Sequence, residues 1–226
     1  MDRAKNRFSS KCFRNVIDSL SEDQKAFVVK NRFEKLLSVR KFSVPMPFLE
    51  WVMGQVVVDR KEFKHRLKSF KFTRFMVEQI IGIPSGDTEI NLQNAASKSN
   101  DAIASSDAMF MAVSKMSIAE AIAQLLAEHE EESFMRLFIL VALSTILCPS
   151  TQNFVNLNYA AYLLDISAFH KYDWASHVLS YIMSEVKKYQ GFISSKDNGK
   201  IYVGSCLPLL AISFLLSLSS TFYFLF

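Results

Sequence analysis

The sequence predicts a mainly α protein: a single multi-helix globular domain with a long irregular loop and at most a short β element. Three observations carry this. Gly and Pro are scarce, six and five in 226 residues, and half of all residues are hydrophobic, so the chain can form long helices and bury one sizeable core. Helix-capping signals precede apolar runs of helical spacing at several points. The stretch 85–107 is dominated by Ser, Asn, Asp and Ala without periodicity, which reads as a loop.

Ser21-Glu22-Asp23-Gln24 opens the first clear helix. Ser21 can cap free N–H groups, Gln24 can return the bond, and two acids favour the positive dipole end. The spacing predicts one helix carrying Phe27, Val28, Phe33, Leu36 and Leu37 inward and stopping near Ser38. Pro47 then opens a short helix, Phe48–Met53, closed by Gly54. Val56-Val57-Val58 is a short strand or buried coil. Thr73 is the expected N-cap of a helix over Arg74–Ile81, ended by Gly82 and Pro84.

Ser117-Ile118-Ala119-Glu120 is a second capping box, leading a helix through Ile122, Leu125 and Leu126 until the acidic run Glu128–Glu132 punctuates it. Phe134–Leu147 is apolar nearly all round, which predicts a fully packed central helix. It is too short to span a bilayer, and Pro149 ends it. A short helix is expected around Tyr159–Leu164. A long amphipathic helix follows over about Trp174–Tyr189, capped by Asp173 and closed by Gly191. From Ile201 to Phe226 no residue is charged, so this run is either a last core helix or a membrane anchor at residues 205–226.

The net charge of +4 hides an asymmetry. Residues 1–80 hold 18 Lys/Arg against 9 Asp/Glu, and residues 81–226 hold 8 against 13. A basic first third can meet phosphates or acidic partners. Its densest part contains Arg60, Lys61, Lys64, Arg66, Lys68, Lys71 and Arg74, interleaved with Phe63, Phe70 and Phe72. Cations neutralise phosphates and aromatics stack on bases, so this pattern fits single-stranded nucleic acid, while the regular spacing of the Phe residues suits a core-facing side equally well. The N-terminal Arg3, Lys5, Arg7, Lys11 and Arg14 extend the basic character.

No reaction is legible. His129-Glu130-Glu131-Glu132 lacks the second histidine of a zinc-binding HExxH helix. His170, Asp173 and His177 can approach one another, but Asp173 is better used as a helix cap and no fourth ligand is evident. Gly82-Ile83-Pro84-Ser85-Gly86 has no Lys-Ser/Thr after it and ends a helix where a phosphate loop begins one. No Gly-x-Ser-x-Gly elbow is present, and Cys12, Cys148 and Cys206 are too scattered for a metal or disulfide frame. The expectation is a non-enzyme with no catalytic residue, no metal and no cofactor, and with no small-molecule substrate evident. The basic N-terminus has no apolar core of a secretory signal, so the chain is expected to start in the cytosol.

Four blocks in order add a resemblance. Phe72–Gly86 resembles the T-x-x-x-V helix and hGhPxxG turn of the plant mobile domain, also called the aminotransferase-like plant mobile domain. Phe138–Pro149, Tyr172–Ile182 and Ile201–Ile212 are similar to that family's apolar helix, aromatic–Trp helix and closing Gly-x-x-x-x-Leu-Leu segment. The grass transposon-associated members look closest. The resemblance implies a transposon-derived helical domain over residues 21–212, preceded by a basic segment (1–20), with a nuclear role and no aminotransferase or peptidase activity. Residues 213–226 depart from the family pattern as a divergent apolar tail, which suggests a C-terminally truncated copy. The expected function is a nuclear protein- or nucleic-acid-interaction module acting through the basic stretch; the alternative is a tail-anchored membrane protein.

Overall fold

Phe134–Pro149 is buried along its whole length, and the fold is built around it. The computed structural model describes residues 4–83, 85–93, 115–195 and 199–218. It is mostly helical and shares one hydrophobic core.

The chain starts with a strand, β1 (Ala4–Asn6), followed by α1 (Ser10–Ser19) and α2 (Glu22–Lys30). Ser21 and Gln24 form the expected capping box on α2. The predicted single helix to Ser38 is interrupted: Arg32 takes a left-handed backbone (φ 64°) and α3 restarts at Glu34–Leu37. That kink drives Phe33 into the core, edge-on to Phe169 at 5.0 Å and stacked on His170. A non-glycine residue at positive φ leaves little trace in sequence.

After α4 (Met46–Gly54) come β2 (Val56–Val57), β3 (Glu62–His65) and β4 (Lys68–Lys71), an antiparallel sheet in the order β2-β3-β4. Thr73 then caps α5 (Arg74–Ile81), which ends on Gly82 at φ 78°. The methylene stem of Lys35 lies against the bare Gly82 Cα, so both the backbone angle and the space there call for glycine. Of the expected loop, residues 85–93 are described: Ser85 and Thr88 bridge to Asp173 and Tyr172. Residues 94–107 lie outside the described residues.

Helix α6 (Ile118–Ala127) carries the second capping box, and its C-terminal carbonyls at Leu125, Leu126 and Glu128 accept from the buried amide of Gln24. Glu130 caps α7 (Glu131–Ala142), which continues as a π-helical turn over Leu143–Leu147 before Pro149. Phe13 and Phe27 of the first two helices meet Phe138 and Phe134 of α7 at 5.8 Å. Short helical turns, including α8 (Ala160–Leu163), lead to Asp173, whose carboxylate caps α9. This helix, Trp174–Ser194, passes through Gly191 and not up to it, because nothing there demands a left-handed residue.

The uncharged C-terminal run divides between a strand and a helix. β5 (Ile201–Val203) pairs in parallel with β1 and so joins the two ends of the chain. α10 (Pro208–Leu218) buries Leu209, Leu210 and Ala211 and packs beside α4 and α5. Phe214 sits among Phe48, Trp51 and Phe63, with ring centroids at 5.9, 5.3 and 5.1 Å. Among the described residues no helix is long and apolar enough to cross a membrane. Residues 219–226 of the anchor considered above lie outside them. Among the described residues five strands form two small sheets, more β structure than the short element expected from sequence.

Candidate anionic-partner interface

The basic stretch folds as a hairpin, and the pleat decides what each residue can do. In a strand, alternate side chains face opposite sides of the sheet. Phe63 lies opposite Phe70, and Glu62 and Lys64 lie opposite Lys71 and Ser69. Phe63 is fully buried, stacks on Phe70 at 5.2 Å and touches Trp51. Phe72 is also buried, against Phe70. The aromatics are therefore the hydrophobic side of the hairpin and are spent on the core. Phe63 and Phe72 are withdrawn from solvent and Phe70 is half-buried between them, which favours the core-facing side of the sequence reading.

The cations take the other side and the tip. Lys64 and Lys71 stand on the solvent face, Arg66 and Lys68 at the turn, and Arg60 and Lys61 where β3 begins. Asp59 and Glu62 are the acids of this segment, and Glu62 already accepts a hydrogen bond from the Ser69 hydroxyl. Among the described residues, none of these six cations is in an ion pair. Arg74 is separate in role: it lies at the start of α5 and reaches the Asp173 carboxylate at 3.4 Å.

Two features of the hairpin were not anticipated. Lys61 (φ 50°) and Arg66 (φ 52°) both hold left-handed backbone conformations. Such positions favour Gly or Asn and cost other residues roughly 1–3 kcal/mol each. A cation stands at both ends of β3 in spite of that cost. Leu67, beside Arg66 in the two-residue turn, is completely exposed. No Asn-Gly or Asp-Gly pair marks this turn, so the usual hairpin signal is missing from the sequence.

The N-terminal cations are dispersed. Lys5 and Arg7 lie over the Tyr202 ring at 5.7 and 4.9 Å, which fastens β1 to β5. Arg14 pairs with Asp18 at 2.6 Å, and Lys11 is exposed on α1. Arg3 lies outside the described residues.

Away from the hairpin, polar groups in the interior serve one another. His170 stacks on Phe33, Asp173 caps Ser176 and holds the Ser85 hydroxyl, and His177 Nε2 meets the Tyr159 hydroxyl at 2.8 Å. The three residues weighed as metal ligands thus have three different structural partners. Burial pushes Cys148 and Cys206 up to about 12, which leaves both as unreactive thiols at neutral pH. Burial also lowers His177 from 6.5 to about 4. His177 therefore binds its proton less tightly in the folded than in the unfolded chain. Its contribution to stability is complete above pH 6.5 and is lost as the pH falls toward about 4. Urea titrations across that interval should show a falling midpoint for the native protein and a flatter profile for His177→Gln; identical profiles would remove His177 as the cause.

A family model described as a domain of unknown function (DUF8566) matches residues 6–211. No curated protein and no solved structure matches. This overturns the plant mobile domain resemblance: the motifs quoted for it are short helix caps and apolar helix ends, which unrelated helical proteins share. The truncated-copy reading and the nuclear location rested on that resemblance and lose its support.

Proposed function

The chain belongs to the DUF8566 family, a domain of unknown function that it matches over residues 6–211, and we propose that it is a non-enzymatic interaction module whose basic hairpin engages an anionic macromolecule. The observation that carries this reading is the set Arg60, Lys61, Lys64, Arg66, Lys68 and Lys71, gathered on one hairpin without ion-pair partners among the described residues. Like charges held this close repel one another, and an anionic partner relieves that repulsion while releasing the ions condensed on itself. The two left-handed cations support the same reading, since strain persists where the surrounding structure or a function demands it.

Chemistry inside the protein has no part in this proposal. His170, Asp173 and His177, weighed from the sequence as metal ligands, act as a ring partner of Phe33, a helix cap and a hydrogen-bond partner of Tyr159.

The test is binding of labelled polyanions, a single-stranded oligonucleotide and an acidic peptide, to the full chain across a salt series. The triple variant K64E/K68E/K71E reverses three exposed cations. At low salt we expect at least one polyanion to bind, to weaken steeply as salt is added, and to lose about tenfold or more in affinity to the triple variant. Equal binding by native protein and variant would end the proposal.

A further inference from the structure

The same hairpin has a second property, held in its backbone and not in its charge. The strand order β2-β3-β4 leaves β4 at the sheet edge. In an antiparallel ladder the N–H and C=O groups of successive residues point alternately toward one neighbour and the other. Lys64 donates to the Gln55 carbonyl, on the β2 side, and Phe72 donates to the Lys61 carbonyl, on the β4 side. Counting from these two bonds, Phe70 and Lys68 point their peptide groups at β3, and Ser69 and Lys71 point theirs away from it. Among the described residues nothing takes up those outward groups. Both residues are exposed.

We infer that the β4 edge takes an extended acidic peptide segment as a fourth strand of this sheet. The inference rests on the proposal that the hairpin engages an anionic partner, and it names the partner's chemistry. Peptide groups spaced two residues apart along an open edge match the spacing at which an incoming strand presents its own. Lys71 stands on the solvent face of that edge with Lys64 one strand behind it, and Lys68 and Arg66 lie at the turn on the other face, so an incoming strand that carries carboxylates on both its faces meets cations along and at the end of β4. Leu67 at the tip adds an apolar contact at one end. Single-stranded nucleic acid fits this surface less well. It has no use for strand-edge peptide groups, and of the rings it would stack on Phe63 and Phe72 are buried and Phe70 is packed against both.

Lysines on an edge strand also act as a guard, since they repel the edges of neutral or basic neighbours. The two roles separate by experiment. A guard leaves even a bound acidic segment unpaired with the edge, whereas a docking edge hydrogen-bonds it through the outward peptide groups of Ser69 and Lys71.

The test uses the full chain and a labelled peptide of about ten residues with alternating Glu and Val, long enough for one strand. Ser69→Pro removes the outward N–H of Ser69 while leaving every charge and the β3–β4 ladder in place; Ser69→Ala is its control, because both lose the hydroxyl bonded to Glu62. The native chain should bind the peptide, Ser69→Ala should stay within about twofold, and Ser69→Pro should lose about tenfold or more, in line with one lost backbone hydrogen bond and its register. An oligonucleotide of equal charge should be indifferent to Ser69→Pro. Peptide binding unchanged by Ser69→Pro would overturn the inference, as would an oligonucleotide that binds where the peptide does not; in both cases the broader proposal survives. Failure of both polyanions to bind at low salt would overturn the broader proposal as well. Amide exchange in the native chain gives a reading that needs no variant. Added peptide should slow exchange at Ser69 and Lys71, and unchanged rates with the peptide bound would also overturn the inference.

Discussion

Replacing Trp174 by Ala is expected to cost about 3–5 kcal/mol, a large part of the stability of a domain this size. Trp174 is fully buried at the first turn of α9. Its ring stacks on Phe169 at 4.4 Å and 12°, and its Nε1 donates to the Phe169 carbonyl at 3.0 Å. Tyr159, Tyr162 and Tyr172 approach it within 6.4 Å. Truncation removes the ring area and the contacts of four aromatic neighbours, and leaves the Phe169 carbonyl without its donor. The measurement is the urea midpoint at constant slope. Trp174→Phe should recover part of the loss, because it keeps the stack but not the N–H. A Trp174→Ala protein as stable as the native one would contradict the packing described for α9.

Phe214→Ala is expected to cost about 2–3 kcal/mol, somewhat less than a fully buried ring because Phe214 keeps some exposure. The residue lies on α10, where Phe48, Trp51 and Phe63 converge on it. Phe63 belongs to β3, so Phe214 also braces the hairpin from behind. Two readouts follow. The melting temperature should drop by several degrees. Amide exchange in β3 and β4 should speed up more than in α1 or α2. If the uncharged run acted only as an anchor, undocked from the domain, neither quantity would move in the soluble protein.

How much of this was legible in the sequence follows from how local each feature is. Ser21, Thr73, Ser117 and Asp173 cap helices as their neighbours suggest, because a cap involves residues within three or four positions. The apolar run from Phe134 had one interpretation and took it. The pairing of β1 with β5 joins opposite ends of the chain, and nothing in either tripeptide announces the other. The break at Arg32 depends on a backbone angle that arginine does not advertise.

The candidate interface shows the same division. Its cations are legible as a cluster in the sequence, whereas the contact that sets Arg74 apart, to Asp173, is 99 residues away and is not. What the alternation of Lys and Phe meant was a matter of period. Read as aromatics beside cations it allowed base stacking or a core-facing side; folded with a period of two it puts Phe63 and Phe70 on one face and Lys64 and Lys71 on the other. The open β4 edge follows from strand order alone, and strand order is a non-local property.

The measurement closest to the central claim is a two-dimensional amide spectrum of the isotope-labelled full chain, titrated at low salt with an acidic peptide. The account predicts shifts confined to Arg60–Lys71 and the residues that pack behind them, Trp51 and Phe214. Shifts concentrated instead around Lys5, Arg7 and Lys11, or a spectrum that does not change at all, would contradict it.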